Sequence, residues 1–255
     1  MQWANWWRFQ VIYSAFRRAF DSPVNATAAS PRENTLNKEN TPASCAMNIV
    51  RKTFPVGPLQ CNCTIMGDTV SGIGYVFDPG GDAQRIMATV ASMGLKIIGI
   101  VHTHAHLDHI LAAGEIQRQT GAPIWLHKSD RFLWDTLELQ CRMFGVPYTP
   151  VPELTRDIED EQDLDCGGCC IHTPGHTPGS TSFYFEDASL LIAGDTLFQG
   201  SIGRTDFEGG DAAALKRSIQ QRLYKLDESA TVVTGHGPET TIGQEMRFNA
   251  FVRAS

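Results

Sequence analysis

The fold is decided by the stretch His104-Ala105-His106-Leu107-Asp108-His109. Three histidines and a carboxylate within six residues serve no need of a hydrophobic core, whereas imidazole and carboxylate are common metal ligands. The apolar run 95–101 predicts a buried strand, and the periodicity of 107–120 predicts a helix that ends at Gly121. The cluster therefore lies on a strand-to-helix turn, where α/β proteins build their sites.

The overall composition is that of a soluble globular protein. The chain has 255 residues, of which 42% are hydrophobic and 19% charged, and it is long enough to bury a large core. Its formal net charge of −7 argues against a nucleic-acid partner, because such partners select a basic surface. No apolar run is long enough to span a bilayer. The composition leaves the oligomeric state open.

Seven cysteines bear on the cellular compartment. Their odd number, without a clear secretory signal, favours reduced thiols and a cytoplasmic location. Cys166 and Cys169 have the C-x-x-C spacing of redox and metal motifs, but no second pair exists and the intervening Gly-Gly favours a hairpin turn. Cys61 and Cys63 alternate along a predicted strand, so we expect them to be small buried residues.

The first 46 residues differ from the rest of the chain. Residues 1–20 are rich in aromatic side chains and contain three arginines, whereas 22–46 are polar and predict an unfolded linker. Three interpretations compete: an organellar transit segment, a membrane-surface helix, or an artefact of start-site choice. We favour a disordered or mis-assigned extension over 1–46 and a catalytic domain over 47–255.

From residue 48 onward, strand-like and helical segments alternate. Antiparallel strands are predicted at 48–54, 62–67 and 73–77. The other predicted strands are 95–101, 123–127, 169–172, 181–185, 189–193 and 231–234. Helices are predicted at 83–93, 107–120, 129–144 and 212–226. This order suits two packed sheets with helices outside.

Three more potential ligands follow predicted strands. They are His176, Asp195 and His236, and each has a neighbouring glycine that lets the backbone turn sharply. Each alone is more often part of an ordinary loop, but their shared placement after strands favours a common site. Seven ligand side chains from four strand ends suit two metals bridged by one carboxylate, because a single zinc needs only three or four ligands.

The ordered set His-x-His-x-Asp-His, Gly-His, Gly-Asp and Gly-His-Gly resembles the pattern of the metallo-β-lactamase superfamily. The segment 194–206, Gly-Asp-Thr-Leu-Phe-Gln-Gly-Ser-Ile-Gly-Arg-Thr-Asp, narrows the resemblance to short bacterial glyoxalase II-like hydrolases, relatives of hydroxyacylglutathione hydrolase. The similarity covers residues 48–252. It implies an α+β fold, a four-layer αββα sandwich with the site between the edges of two sheets.

The resemblance also implies how the ligands divide. One metal would be held by His104, His106 and His176, the second by Asp108, His109 and His236, with Asp195 as the bridge. The cofactors would be two divalent ions, zinc first, with iron or manganese as alternatives. True β-lactamases of the superfamily typically lack a carboxylate at the Asp195 position. The presence of Asp195 therefore argues against hydrolysis of antibiotics.

The expected reaction is hydrolysis of a small thioester such as S-lactoylglutathione. Two cations about 3.5 to 4 Å apart share a solvent molecule and make it a hydroxide that attacks the carbonyl. Asp108 is the candidate catalytic residue that handles the proton. Only residues 237–255 follow the last histidine. We therefore expect the helical domain that binds glutathione in full-length glyoxalase II to be missing, and the identity of the thioester stays open.

Two further functions compete with hydrolysis. Persulfide dioxygenases of the superfamily share these residues and use the equivalents of His104, His176 and Asp195 to hold one Fe(II) for O₂ chemistry. The other is a non-catalytic or nucleic-acid-binding role, for which we would expect lost ligands or a basic face, and the sequence has neither feature.

Residues outside the ligand set are expected to be mainly structural. His102, His127 and His172 are interpreted as structural histidines, with support of the metal ligands as the alternative. Arg204 and Asp206 are interpreted as an ion pair beside the Asp195 loop, for which a structural and a functional role are equally open. Four aromatic residues are interpreted as core or cap packing, with a substrate pocket as the alternative: Phe132, Trp134, Phe144 and Tyr148.

Overall fold

Two six-stranded β-sheets form the centre of the part of the chain that the structure describes, residues 48–254. The structure is a computed structural model. The described residues lie within one compact unit, 44–255. The expectations for the extension 1–46 lie outside the described residues.

The first sheet has the strand order β1-β2-β3-β4-β5-β6. Its strands are β1 (Ile49–Val56), β2 (Cys61–Asp68), β3 (Ile73–Phe77), β4 (Lys96–Val101), β5 (Ile124–His127) and β6 (Arg156–Ile158). Short turns connect β1 to β2 and β2 to β3, and these neighbours pair antiparallel, as predicted. Helical crossovers connect β3 to β4, β4 to β5 and β5 to β6, and these neighbours pair parallel. The carboxyl ends of β3, β4 and β5 therefore meet at one edge.

The second sheet has the order β14-β13-β10-β9-β8-β7. Its strands are β7 (Asp163–Leu164), β8 (Gly168–His172), β9 (Thr181–Phe185), β10 (Leu190–Gly194), β13 (Thr231–Thr234) and β14 (Thr240–Thr241), and a separate ribbon consists of β11 (Leu197–Phe198) and β12 (Ser201–Ile202). β10 and β13 are parallel, and the other neighbours are antiparallel. Gly167 turns the β7-β8 hairpin at φ +80°, which confirms the turn predicted for the C-x-x-C segment.

Helices cover the outer face of each sheet. They are α1 (Ala83–Met93), α2 (Leu107–Ile110), α3 (Ala113–Thr120), α4 (Arg131–Asp135), α5 (Leu137–Phe144), α6 (Ala212–Gln221) and α7 (Ile242–Phe248). α1 to α5 pack on the first sheet, whereas α6 and α7 pack on the second. In α1, for example, Ile86 and Val90 lie one turn apart and face the sheet. None of the described helices has the length and apolarity to cross a bilayer.

Aromatic side chains fill the space between the two sheets. The ring centroids of Phe77 on β3 and Phe183 on β9 are 5.1 Å apart, and Tyr75 meets Trp125 edge-to-face at 5.8 Å. All four are buried. Each large apolar side chain buried in this way contributes about 1.5 to 3 kcal/mol of hydrophobic stabilisation. The layers thus run helix, sheet, sheet, helix, which confirms the predicted α+β four-layer αββα sandwich.

Two predicted helices are interrupted in the structure, one at a tertiary hydrogen bond and one at a local side-chain hydrogen bond. The helix expected over 107–120 is divided into α2 and α3, because the Ala112 N–H donates to the Pro79 carbonyl at 2.9 Å. The helix expected over 129–144 is a 3₁₀ turn followed by α4 and α5, which meet at Thr136, whose hydroxyl donates to the Phe132 carbonyl at 2.7 Å. The segment 212–226 is helical to Gln221 and ends in a 3₁₀ turn.

The sequence analysis missed the short elements. β6, β7, β11, β12 and β14 have two or three residues each, too few for an alternating pattern to be recognised. α7 was also missed, although Thr241 caps it by accepting a hydrogen bond from the Gln244 N–H.

Candidate metal centre

Four loops bring the seven predicted ligand residues to one place. His104 to His109 follow β4 and form the start of α2, His176 follows β8, Asp195 follows β10 and His236 follows β13. Their potential ligand atoms form three groups, each with all atoms within 4.8 Å of one another: His104, His106 and His176; Asp108, His109 and His236; and His104, His109 and Asp195. The groups overlap, so the residues form one continuous cluster.

The first group is the three-histidine set, His104, His106 and His176. Nδ1 of His106 lies 2.9 Å from Nε2 of His176. The ring centroid of His104 lies within 4.8 Å of the ring centroids of both other histidines. Burial, reinforced by the neighbouring imidazoles, lowers the pKa of His104 well below its usual range and that of His106 to about 3. Neutral imidazoles with available lone pairs are the form that binds metal ions.

The second group is the acid-containing set, Asp108, His109 and His236. Oδ2 of Asp108 lies 3.1 Å from Nε2 of His236 and 3.8 Å from Nε2 of His109. Burial opposes ionisation of Asp108, but the two histidines outweigh it and lower the pKa of the carboxyl. Asp108 is therefore a carboxylate with an oxygen directed at the site.

Asp195 lies between the two sets. Its Oδ2 is 3.6 Å from His176 Nε2, and its Oδ1 is 3.5 Å from His109 Nε2 and 3.8 Å from His236 Nε2. Burial raises the pKa of this carboxyl, but the surrounding histidines outweigh burial and hold the pKa well below its usual range. One carboxylate thus has an oxygen directed at each set.

The inner atoms of the cluster lack hydrogen-bond partners. Within residues 48–254, Nε2 of His104, Nε2 of His109 and Oδ1 of Asp195 are buried with no such partner. The 3.5 Å between the last two is too long for a good hydrogen bond. Leaving each buried polar atom unpaired costs about 1 to 3 kcal/mol. Cations bound among these atoms would satisfy them, so the residues fit a metal centre.

The outer nitrogens of the same histidines are held by protein groups. Nδ1 of His104 contacts Thr103 Oγ1 at 3.0 Å, and Nδ1 of His176 donates to the Arg204 carbonyl at 2.7 Å. Nδ1 of His109 lies 3.0 Å from Asp78 Oδ2. Metal-binding histidines are oriented by such contacts, which direct the opposite nitrogen toward the metal.

Asp78, which the sequence analysis did not single out, contacts one of the predicted ligand residues. It is buried and also accepts hydrogen bonds at 2.7 Å from both the N–H and the hydroxyl of Thr103. The available signal was its position directly after β3, a parallel neighbour of the strand that precedes the cluster.

Two glycines allow the ligand loops to approach closely. A Cβ atom at Gly235 would collide with Oδ1 of Asp195, and one at Gly194 would collide with the Thr103 hydroxyl. Gly194 also has φ +52°, which L side chains rarely adopt. The neighbouring glycines predicted to permit close approach do so at these positions.

The described residues contain six free thiols, of which five are buried and that of Cys169 is half-buried. Cys61 and Cys63 are fully buried, as predicted. Cys61 Sγ contacts Nδ1 of His109 at 3.3 Å, but burial raises the pKa of its thiol to about 12. Cys61 is therefore a neutral packing group beside the centre.

The remaining histidines are outside the ligand cluster. His102 is buried and its Nδ1 contacts the His109 carbonyl at 3.1 Å, whereas His127 and His172 stack on each other with ring centroids 4.2 Å apart. His172 Nε2 also lies 2.9 Å from the Pro178 carbonyl, on the loop that carries His176. These contacts support the structural interpretation of all three.

Arg204 and Phe207 flank the centre. Arg204 forms the predicted ion pair with Asp206, with two contacts of 2.6 and 2.7 Å, and its guanidinium lies 3.8 Å from the centroid of the Phe207 ring. That ring meets His106 edge-on at 5.4 Å. The sequence analysis did not single out Phe207.

The four aromatic residues considered for a pocket have different environments. Trp134 is buried in the core, Phe132 packs against it, and Tyr148 is exposed. The ring centroids of Phe144 and Phe207 are 6.3 Å apart, and Phe207 in turn contacts His106.

The fold and the cluster together define a metal-dependent hydrolase. The model of the metallo-beta-lactamase superfamily matches residues 56–236, and the chain belongs to this superfamily.

Two relatives illustrate the similarity. "Hydroxyacylglutathione hydrolase GloC" of Haemophilus influenzae is 37% identical over 82% of this chain and 99% of its own length. "Probable metallo-hydrolase YqgX" of Bacillus subtilis is 38% identical over 79% of this chain and 96% of its own length. Both alignments span nearly the whole relative.

Solved structures share the fold. BLEG-1 B3 metallo-beta-lactamase is 38% identical with a TM-score of 0.74, covering 80% of this chain and 99% of that one. TTHA1623 in a di-iron-bound form is 35% identical with a TM-score of 0.74, covering 79% and 100%. ETHE1 from Myxococcus xanthus is 23% identical with a TM-score of 0.66, covering 79% and 83%, and is similar in fold.

Proposed function

We propose that this protein hydrolyses small thioesters such as S-lactoylglutathione at a two-metal centre. The observation that carries the proposal is the position of Asp195, whose two carboxylate oxygens are directed at different sets of histidines. A single metal would not need seven ligand residues around a shared carboxylate.

The ligands divide between two cations. The three-histidine set would hold one cation, the acid-containing set the other, and Asp195 would contact both. Zinc is favoured because histidine with carboxylate suits it, while iron and manganese accept the same ligands. The di-iron form of the similar structure TTHA1623 supports two ions and keeps iron as a strong alternative.

Cations held by these two sets would supply an activated water nucleophile and would polarise the thioester carbonyl. Asp108 contributes the base: its carboxylate is ionised, has only 14% of its side chain exposed, and directs Oδ2 at the cluster. It accepts the proton that the attacking water loses. Water adds to the carbonyl carbon, the carbon–sulfur bond breaks, and the products are a carboxylate and a thiol.

The relatives support a thioester substrate. The Haemophilus influenzae protein is a hydroxyacylglutathione hydrolase by name and aligns over almost its whole length. The substrate would be a small molecule. We place the protein in the cytoplasm, where the six free thiols of the described residues would stay reduced.

Two other reactions are alternatives to thioester hydrolysis. Persulfide dioxygenation has weaker support, because it rests on the resemblance of the sequence motif alone. β-Lactam hydrolysis has a specific observation in its favour, the 38% identity to the BLEG-1 B3 metallo-beta-lactamase, although Asp195 led us to expect otherwise.

The test assays the full chain, purified and loaded with zinc or with iron, in three parallel reactions. They are hydrolysis of S-lactoylglutathione, O₂ uptake with glutathione persulfide, and hydrolysis of a chromogenic cephalosporin. We expect thioester hydrolysis to have the highest kcat/KM and to be lost in His236→Ala but kept in His172→Gln, a histidine outside the cluster. O₂ uptake without thioesterase activity, or dominant cephalosporin turnover, would contradict the proposal.

A further inference from the structure

Asp130 is a fully buried carboxylate that belongs to neither ligand set. It lies at the turn after β5, directly before α4. Its Oδ2 accepts hydrogen bonds from the Ala105 N–H at 3.2 Å and from the Thr177 hydroxyl at 2.7 Å, and its Oδ1 accepts one from the Gly179 N–H at 2.6 Å. The Asp130 side chain thus connects the turn between β5 and α4 to two separate loops.

The three donors come from the loops that carry the three-histidine set. Ala105 is the residue between His104 and His106, and Thr177 follows His176 directly. The Asp130 carboxylate therefore connects the backbone between two of these histidines to the segment that bears the third. Within the described residues, no other carboxylate has hydrogen bonds to both loops.

The site is shaped for a carboxylate. A Cβ atom at Gly179 would lie 2.6 Å from Cγ of Asp130, so glycine permits the close approach of the loop. All three partners are donors, and an ionised carboxylate is the side-chain group that accepts from all of them. Burial raises the pKa of Asp130 to about 6 against these hydrogen bonds, so its position carries a cost that an apolar residue would avoid.

We propose that Asp130 is a positioning residue that holds His104, His106 and His176 at metal-binding distance of one another. The inference rests on the proposed function only in assigning a metal to the three-histidine set. If Asp130 has this role, loss of its carboxylate weakens metal binding by the three-histidine set and leaves metal binding by the acid-containing set unchanged.

The first experiment titrates the metal-free protein with Zn²⁺ against a chromophoric chelator and resolves two dissociation constants. In Asp130→Asn, an amide that cannot accept all three hydrogen bonds, we expect one constant to rise by about 10- to 100-fold and the other to stay within twofold. The control is Asp135→Asn, an exposed carboxylate in α4, which should leave both unchanged. Equal weakening of both sites, or no change, would overturn the inference.

A cycle with ligand variants identifies the affected site. In a His236→Ala background, where the three-histidine set remains, Asp130→Asn should weaken the remaining zinc site by about tenfold or more. In a His106→Ala background, where the acid-containing set remains, it should have no effect. The opposite pattern would overturn the inference.

Thr177 provides a second test if Asp130→Asn does not fold. Thr177→Val removes one donor to Asp130, whereas Thr177→Ser keeps the hydroxyl. We expect Thr177→Val to raise the zinc dissociation constant of one site and Thr177→Ser to keep the dissociation constant of the unmodified chain. Urea unfolding of the metal-free variants checks that both fold. Equal affinities for both variants would contradict the role of Asp130.

These measurements separate the inference from the proposed function. If the unmodified chain binds fewer than two zinc ions, the two-metal hydrolase fails. If it binds two and Asp130→Asn changes neither, the positioning role alone fails. If the metal results hold but no thioester is cleaved, the positioning role stands and the substrate proposal fails.

Discussion

Oδ2 of Asp78 lies 3.0 Å from Nδ1 of His109, on the side of the ring opposite to Asp108 and Asp195. The imidazole is therefore held between a buried carboxylate and the cluster. Thr103 fixes that carboxylate with two hydrogen bonds of 2.7 Å. The arrangement orients Nε2 of His109 toward the other ligands and makes this nitrogen more basic.

Asp78→Asn tests this orientation. We expect the metal bound by the acid-containing set to dissociate about 10- to 100-fold more readily, because the amide is a weaker partner for Nδ1. The measurement is the metal retained per chain after dialysis against a chelator. Asp82→Asn, an exposed neighbour of the same loop, is the control and should retain the full complement. Unchanged retention in Asp78→Asn would argue against the role of this carboxylate.

Gly235→Ala tests the close approach of the His236 loop to Asp195. The added methyl group would collide with Asp195 Oδ1, so we expect loss of metal and at least about a tenfold fall in activity. Gly237→Ala is the matched control, because its Cβ would point into open space while its φ of +75° costs stability of about 1 kcal/mol. If both variants keep metal and activity, the tight approach has no functional role.

Phe183→Ala tests the packing between the sheets. Phe183 is fully buried and contacts Phe77 at 5.1 Å between ring centroids, so its truncation should lower the free energy of unfolding by about 3 to 5 kcal/mol. Phe251→Ala removes a ring that is 57% exposed and should change it by less than about 0.5 kcal/mol. Urea unfolding of metal-free protein measures both. A small effect of Phe183→Ala would contradict the described core.

His127 predicts a pH dependence of stability. Burial, with the nearby His172 and Lys128, lowers its pKa from 6.5 to about 4 in the folded protein. Between these values the unfolded chain binds the proton and the folded chain does not, so stability falls as the pH falls below 6.5.

His127→Asn checks this dependence and keeps an acceptor for the Ser129 N–H. The free energy of unfolding of the variant should decline less steeply between about pH 6.5 and about pH 4, by at most about 1.4 kcal/mol per pH unit. An identical slope in variant and parent would show that His127 titrates normally.

The sequence predicted what repeats or alternates along the chain. β3, α1 and β9 have the predicted bounds, because turn residues mark where each apolar segment ends. The seven ligand residues were found because histidine and aspartate after strands stand out from any core pattern. The structure brings all of them together.

Other features depend on tertiary contacts that no local pattern encodes. The break between α2 and α3 follows from the hydrogen bond of Ala112 to Pro79, a residue more than thirty positions earlier. Asp78 and Asp130 act through partners 25 to 49 residues away, so each resembles an ordinary turn or helix-start aspartate in the sequence. Phe207 is near the centre only because its loop folds back on His106.

The central claim is that two cations act together around Asp195. The most direct measurement adds zinc stepwise to the metal-free full chain and follows S-lactoylglutathione hydrolysis and bound metal together. We expect activity to reach its plateau at two zinc ions per chain and the Asp195→Asn variant to lose most of this activity. Full activity with one metal per chain, or in Asp195→Asn, would show that the two cations do not act together.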